Sequence, residues 1–300
     1  MRFGGILSIV LVLIFILSTF FYFMPTNNLN FTITPQNYNF SIGGNLDMQY
    51  YPNMRYSDSS ISYKISNCSL AKQNEMQNAF TIIENKTNLI FYPTNNNEQI
   101  SITCEDKNRI ENDMFVAGEG GPTNIIVSGN FYVITKGEIL LIRNSDCPQP
   151  NVAIHELLHS LGFKHSTNPN NIMYNITNCD QVIGDDTLTL INQLYSFKSY
   201  PDLTFENVSG FMNGRFLNIN LTIINEGLND APESTLIIYA DNSIVKEINL
   251  DALRIGEGMV INLGNIFVPQ INFNEINLEI NSTFNEITKE NNKLNLKMGK

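Results

Sequence analysis

Hydrophobic and polar residues divide the chain into zones with different patterns. The first zone is an apolar run from Gly4 to Met24, which as a helix would be about 31 Å long and could cross a bilayer. Residues 46–200 mix segments of helical period with segments of strand period. Residues 201–300 contain short alternating stretches and no convincing helical period. The chain therefore consists of more than one structural unit.

Helix and strand signals interleave in residues 46–200. A helix is predicted after Ser69, where Met76, Ala79, Phe80 and Ile83 recur at helical spacing. Two further helices are predicted, one over residues 151–162 and one opening at Asp185. The stretch "FVAGEGGPTN" (115–124) indicates a surface loop. Strands are predicted at 60–66, 89–93, 100–105, 124–129 and 131–143. The pattern is that of an α+β domain.

Strict alternation marks the C-terminal zone, for example in Leu217–Ile223 and Ile276–Asn281. Turn-forming triplets separate such stretches at 225–227 and 241–243. About 100 residues of short strands and regular turns predict an all-β, Ig-like sandwich over residues 201–300. An irregular β tail is the alternative.

The N-terminal zone predicts export of everything that follows it. Residues 1–25 indicate a transmembrane anchor whose N-terminus, carrying Arg2, stays in the cytoplasm. A cleaved signal peptide is the alternative, although its apolar region is usually shorter, at about 7–15 residues. Residues 26–45, punctuated by Pro35, Gly43 and Gly44, predict a stalk. We expect a membrane-bound protein with its bulk outside the cell, or a secreted one.

Charge and cysteine content agree with an exported protein and add two expectations. The net charge is −11 and basic residues form no cluster, which argues against a nucleic-acid partner. All four cysteines lie beyond the apolar run, and an even number outside the membrane indicates two disulfides. Of three pairings, we favour Cys68–Cys104 with Cys147–Cys179, because each loop then stays within one half of the middle region. Four buried thiols are the alternative.

All three histidines of the chain lie in one stretch of eleven residues, "HELLHSLGFKH". His155 and His159 are one helical turn apart and can hold one metal ion from the same face. Gly162 can end the helix and turn the chain, so that His165 becomes the third ligand. Three nitrogens leave one tetrahedral position for water, as in catalytic zinc sites. Glu156 can take the proton of that zinc-activated water as general base.

These residues resemble the extended zinc motif of the metzincin metallopeptidases. Met173 resembles the Met-turn of that clan, and "HS" at 165–166, "IMY" at 172–174 and the helix from Asp185 are most similar to the matrixin branch. The resemblance covers residues 46–200. It implies a twisted mixed sheet, an active-site helix beneath the cleft, one catalytic zinc ion and an extended peptide along an edge strand.

Two family features are absent from this sequence. No histidine remains for a second, structural zinc, and residues 25–67 contain no cysteine, which excludes a cysteine switch. Calcium sites, common in such domains, need oxygen ligands that the sequence does not locate.

Residues 201–300 resemble a CARDB domain, an Ig-like module of prokaryotic surface proteins. The similarity lies in "PDLTFENV", "IINEGLNDAPESTLIIYADN" and "FNEITKENNKLNLK". It implies a cell-surface protein and a surface partner for this module.

The sequence as a whole predicts an extracellular zinc endopeptidase that acts on proteins or peptides. One alternative is a surface adhesion protein whose peptidase-like domain only binds, although a pure binder has no need of Glu156. A zinc hydrolase of non-peptide amides is another. Loss of cleavage on chelation of the metal would separate the enzyme from the adhesion protein.

Overall fold

The computed structural model describes residues 3–23, 29–33, 46–106, 109–111, 114–143, 147–270 and 273–298. The helices are α1 (Phe3–Phe23), α2 (Leu70–Glu84), α3 (Asn151–Ser160) and α4 (Asp185–Leu194). A short 3-10 helix lies at Leu46–Met48. The predicted helices after 69, over 151–162 and from 185 are therefore present.

The apolar run forms helix α1 as predicted from its pattern. A search of the described residues finds no helix long and apolar enough to cross a membrane. The predicted transmembrane helix thus gains no support from the structure.

The N-terminal domain is built on a twisted mixed sheet. Its central strands run parallel in the order β2-β9-β5-β3-β4, with β8 antiparallel on β9. A two-stranded hairpin, β6–β7, precedes β8. The strands are β2 (Met54–Tyr56), β3 (Ser60–Ile65), β4 (Ile90–Pro93), β5 (Ile100–Cys104), β6 (Arg109–Glu111), β7 (Met114–Val116), β8 (Gly118–Ser128) and β9 (Phe131–Leu141).

One buried apolar cluster joins this sheet to its helices. The helical stripe predicted from Met76 to Ile83 faces the sheet, and Leu157 and Leu158 of α3 pack into the same cluster. Ser69 caps α2, because its hydroxyl accepts from the backbone N–H of Lys72 at 3.4 Å. The hydrophobic pattern therefore fixes which face of each helix meets the sheet.

The prediction of a surface loop at 115–124 is wrong for most of these residues. Residues Gly118–Asn124 belong to strand β8, paired with β9 from Gly118 opposite Leu141 onward. Glycine-rich sequence normally indicates a loop. Here Gly118 and Gly120 are required by close packing of β8 against Glu156 of α3, a tertiary constraint that the local pattern does not reveal.

The C-terminal domain is a sandwich of two antiparallel sheets. Buried core residues alternate with more exposed residues along its strands. Examples are Leu217, Ile219 and Leu221 on one sheet and Leu236 and Ile238 on the other. The strands are β10 (Leu203–Asn213), β11 (Phe216–Asn225), β12 (Ser234–Ala240), β13 (Ser243–Leu250), β14 (Gly258–Phe267), β15 (Glu275–Asn281) and β16 (Lys293–Met298). One sheet has the order β13-β12-β15-β16 and the other β10-β11-β14.

The stalk prediction fails at residues 29–33. Strand β1 (Leu29–Ile33) joins the sandwich, pairing with β10 through Leu29 and Asn30 and with β16 through Phe31–Ile33. The apolar alternation of "LNFTI" suits a strand, and the nearby proline and glycines obscured it. The other residues of the predicted stalk, 26–28 and 34–45, lie outside the described residues.

Two disulfides hold the N-terminal domain. Cys68 bonds to Cys104, joining the start of α2 to the end of β5. Cys147 bonds to Cys179 across the segment that contains α3. This is the pairing favoured from loop location.

Candidate metal centre and active site

Helix α3 carries the first two predicted ligands and the predicted base. The helix begins after Pro150, whose ring suits a helix start. It ends at Ser160, and the chain turns at Gly162, which has φ +96° and donates its N–H to His159 O at 2.9 Å. A side chain at Gly162 would also meet Met54, since a Cβ there would lie 2.6 Å from Met54 Sδ. Only glycine therefore makes this sharp turn without strain.

The turn brings all three histidines together. The Nε2 atom of His155 lies 2.9 Å from Nε2 of His159 and 3.2 Å from Nε2 of His165. All three ligand atoms lie within 4.8 Å of one another. His155 and His159 are buried, with 5% and 6% of their surface exposed, whereas His165 is exposed on the outer side.

Backbone carbonyls fix the orientation of the two buried rings. The Nδ1–H of His155 donates to Ile172 O at 2.6 Å, and the Nδ1–H of His159 donates to Phe163 O at 2.7 Å. This tautomer leaves an unprotonated Nε2 on each ring, so lone pairs point at one another. Burial lowers the pKa of His155 and lowers that of His159 to about 4, which keeps both rings neutral. These two fixed lone pairs, with Nε2 of His165 close by, suit a cation.

Tyr50 is a further contact of this centre that the sequence did not reveal. Its Oη lies 3.0 Å from Nδ1 of His159, and its backbone N–H donates to Gly162 O at 3.0 Å. The segment that follows the predicted stalk thus runs along the turn after α3. No spacing or motif links Tyr50 to His159, which lies 109 residues away.

Glu156 lies against strand β8. A Cβ at Gly118 would be 2.9 Å from Glu156 Oε1, and a Cβ at Gly120 would be 2.4 Å from Glu156 O. The two glycines therefore let the strand approach the carboxyl group closely. Burial and the nearby carboxylate of Glu119 raise the pKa of Glu156 to about 8. A divalent cation nearby would lower that pKa, since it favours the charged carboxylate.

Met173 lies in a turn beneath the histidines and is buried. Its backbone O accepts from the N–H of Ser166 at 2.7 Å, next to His165. The side-chain Oδ1 of Asn171 accepts from the N–H of Met173 at 2.8 Å. Together with the bond from His155 to Ile172, the turn contacts the segments of two of the three histidines.

The structure thus brings the Nε2 atoms of His155, His159 and His165 together. Glu156 lies on the same helix as the first two histidines, and Met173 lies in the turn whose Ile172 carbonyl accepts from His155. Within the described part of the chain, the histidines are the one group of three or more His, Cys, Asp or Glu residues placed to hold a metal. The predicted calcium ion therefore still has no assigned ligands.

Comparison with known proteins agrees with this geometry. Residues 55–196 match the family model described as Matrixin. No curated protein matches the chain. Similar solved structures include the CARDB domain of a Pyrococcus furiosus protein in complex with di-metal ions, at 19% identity and a TM-score of 0.27, covering 33% of this chain and 88% of that chain. A domain of a Methanosarcina acetivorans protein described as a cell surface protein is similar at 17% identity and a TM-score of 0.28, covering 33% of this chain and 91% of that chain.

The matrixin match confirms the resemblance predicted from the histidine motif and the Met-turn.

Proposed function

We propose that the matrixin-type domain at residues 55–196 makes this protein a zinc-dependent endopeptidase. The observation that carries the proposal is the convergence of three Nε2 atoms, two of them on rings fixed by backbone carbonyls. A buried glutamate, Glu156, lies on the same helix. Buried neutral imidazoles with fixed tautomers are typical metal ligands.

His155, His159 and His165 would hold the zinc ion. When bound, zinc supplies Lewis acidity, which lowers the pKa of water and polarises a substrate carbonyl. The chain would supply three nitrogen ligands, and of these His165 is exposed to solvent. Three ligands are typical of a catalytic centre, whereas structural zinc sites usually have four protein ligands.

Glu156 is the proposed general base. Its carboxyl group is buried against the backbone of Gly118, so it is shielded from bulk water. As a carboxylate it would accept the proton of the attacking water, and as the acid so formed it would deliver that proton to the leaving amine.

Strand β8 is the proposed binding site for the substrate. Among the described strands, β8 pairs only with β9, so the opposite edge has backbone groups free to pair with an extended peptide. Gly118 and Gly120 place that edge beside Glu156. A peptide bound there would present its backbone carbonyls to the catalytic residues, in agreement with what the resemblance implies for matrixins.

We also propose that the protein works outside the cell. The two disulfides support this, because disulfides persist in oxidising compartments. Anchoring through α1, or secretion after its removal, and a surface partner for the sandwich remain proposals. Cell fractionation with protease accessibility of the sandwich would test the location.

Glu156→Gln tests the enzymatic proposal. We expect the variant to keep its fold and its zinc content but to lose at least about 10²-fold to 10⁴-fold in cleavage of a mixed peptide library, because it lacks the base. His159→Ala should instead lose the metal itself, measured by elemental analysis. A wild-type protein that binds zinc and cleaves no peptide would favour the adhesion alternative, and unchanged cleavage by Glu156→Gln would exclude the assigned base.

A further inference from the structure

The C-terminal sandwich contacts the far end of strand β8. The Ser128 hydroxyl donates to the backbone carbonyls of Gly227 at 2.6 Å and Asn225 at 3.3 Å, and Ser128 is only 1% exposed. Leu228 of the sandwich is fully buried in the core of the N-terminal domain. The end of the strand proposed to bind substrate is therefore fixed by the other domain.

One sandwich loop lies on the outward edge of β8. Ser128 pairs with Phe131 across a two-residue turn, and the closing pair of such a hairpin is hydrogen-bonded. The preceding residue, Val127, therefore points its N–H and C=O away from β9. Gly256 lies there, since a Cβ on it would be 2.6 Å from Val127 O and 2.7 Å from Ile126 Cγ2.

We propose that the sandwich loop 253–257 closes one end of the peptide-binding cleft. This inference rests on the proposed function, in which an extended peptide pairs with the free edge of β8. From Gly120, beside Glu156, to Val127 the strand advances by about seven residues, or about 24 Å at ordinary strand rise. A bound peptide can pair with the outward edge of β8 over that length. Next to Val127, the loop then occupies the place where the following residue of the peptide would pair. The C-terminal sandwich thus limits how many substrate residues can contribute to binding on one side of the scissile bond.

Gly256 is the residue through which to test the closure. Its φ of +70° and its close contacts leave no room for a side chain, so Gly256→Ala should push the loop away from Val127. Gly258→Ala is the matched control, because its nearest neighbour would be Thr222 Cγ2 at an ordinary 3.5 Å. Ser128→Ala provides a second, milder variant, which removes the interdomain hydrogen bonds. Thr135→Val is its control, because the Thr135 hydroxyl bonds only within the β8–β9 pair, to Asn124 O.

The measurement uses the full chain and a cleavable peptide lengthened by one alanine at a time at either end. In the wild type, KM should fall as the peptide is lengthened on one side of the scissile bond. It should become constant once the peptide extends more than about seven residues from that bond. Gly256→Ala and Ser128→Ala should move this plateau by one or two residues, and both controls should match the wild type.

A plateau that stays in place in both variants would overturn the proposal, as would a KM that continues to fall in the wild type. Direct binding of the same peptides to Glu156→Gln, measured by fluorescence anisotropy, separates this result from failure of the proposed function. A length plateau in binding without cleavage by the wild type would support the closed cleft and reject the peptidase. Cleavage without a length plateau would support the peptidase and reject the closed cleft.

Discussion

The Nδ1–H of His155 donates to the backbone carbonyl of Ile172 at 2.6 Å. This bond joins the first residue of the metal-binding motif to the turn that contains Met173. It fixes the tautomer and the rotation of the imidazole before any metal binds. The turn at 171–173 therefore orients His155 through its backbone, and Met173 itself fills space in the core.

Asn171→Ala should weaken zinc binding without touching a ligand. The Asn171 Oδ1 accepts from the N–H of Met173 at 2.8 Å, so its loss loosens the turn that holds His155. We expect about 10-fold to 100-fold lower zinc affinity, the range typical for outer partners of metal ligands. Competition with a chromogenic chelator measures it.

Asn168→Ala is the matched control for this prediction. Its Oδ1 makes the same type of turn, accepting from the N–H of Asn170 at 3.0 Å, but it is exposed and does not contact the histidines or Ile172–Met173. Equal losses of zinc affinity in the two variants would mean that the turn does not position His155.

Gly120→Ala should separate β8 from the active-site helix. A Cβ at this position would lie 2.4 Å from Glu156 O and 2.9 Å from Glu156 Cα, so the strand must shift. Because misplacement of about 1 Å can cost about 10²-fold in rate, kcat/KM should fall by that order while zinc content stays unchanged. Gly121→Ala should stay within about 2-fold of the wild type, since a Cβ there meets nothing within 4 Å. If both variants are equally active, β8 is not the strand that binds substrate.

Loss of the Cys147–Cys179 disulfide should weaken zinc binding more than loss of the Cys68–Cys104 disulfide. The Cys147–Cys179 bond closes a loop of sequence separation 32 that contains all three histidines and Met173, whereas Cys68–Cys104 closes one of 36 that contains none of them. Loop entropy predicts a similar loss of about 4 kcal/mol of stability when either pair is replaced by serine.

Zinc titrations of the folded variants distinguish the two disulfides. We expect weaker zinc binding only after replacement of Cys147 and Cys179, with unfolding followed by denaturant titration. A weakening of the same size in both double variants would place the effect in general stability.

Sequence alone could predict much of this structure, for identifiable reasons. The clustering of the three histidines follows from spacing, because helix geometry puts His155 and His159 on one face and Gly162 turns the chain towards His165. Alternation along residues 217–223 predicts a strand wherever one face is buried. In each case the interactions that determine the structure lie within about ten residues along the chain.

The features that were missed depend on contacts between distant parts of the chain. Strand β8 begins with glycines because Glu156, some 36 residues later, occupies the space of a side chain. Tyr50 contacts His159 across the domain, and strand β1 joins β16 from the opposite end of the chain. No local period or motif reports such contacts, so these features required the structure.

Asp202 makes the stability of the sandwich sensitive to pH. It lies where the chain enters that domain and accepts hydrogen bonds from Asn291 Nδ2 at 3.0 Å and from the N–H of Thr288 at 3.4 Å. Burial, aided by the nearby carboxylates of Glu286 and Glu226, raises the pKa of Asp202 to about 6. The folded state therefore binds this proton more tightly than the unfolded chain, whose Asp titrates near pH 4.

Asp202→Asn should therefore stabilise the protein at neutral pH and not in acid. As pH rises from about 4 to about 6, the unfolded chain loses the proton first, so stability from this group is lost over that window. The amide keeps an oxygen acceptor and carries no charge, so we expect a gain of about 1–2 kcal/mol at pH 7.5 and no gain at pH 4. Urea midpoints at both pH values measure the effect. A variant that is less stable at pH 7.5 would show that the carboxylate is stabilised by its hydrogen bonds more than it is penalised by burial.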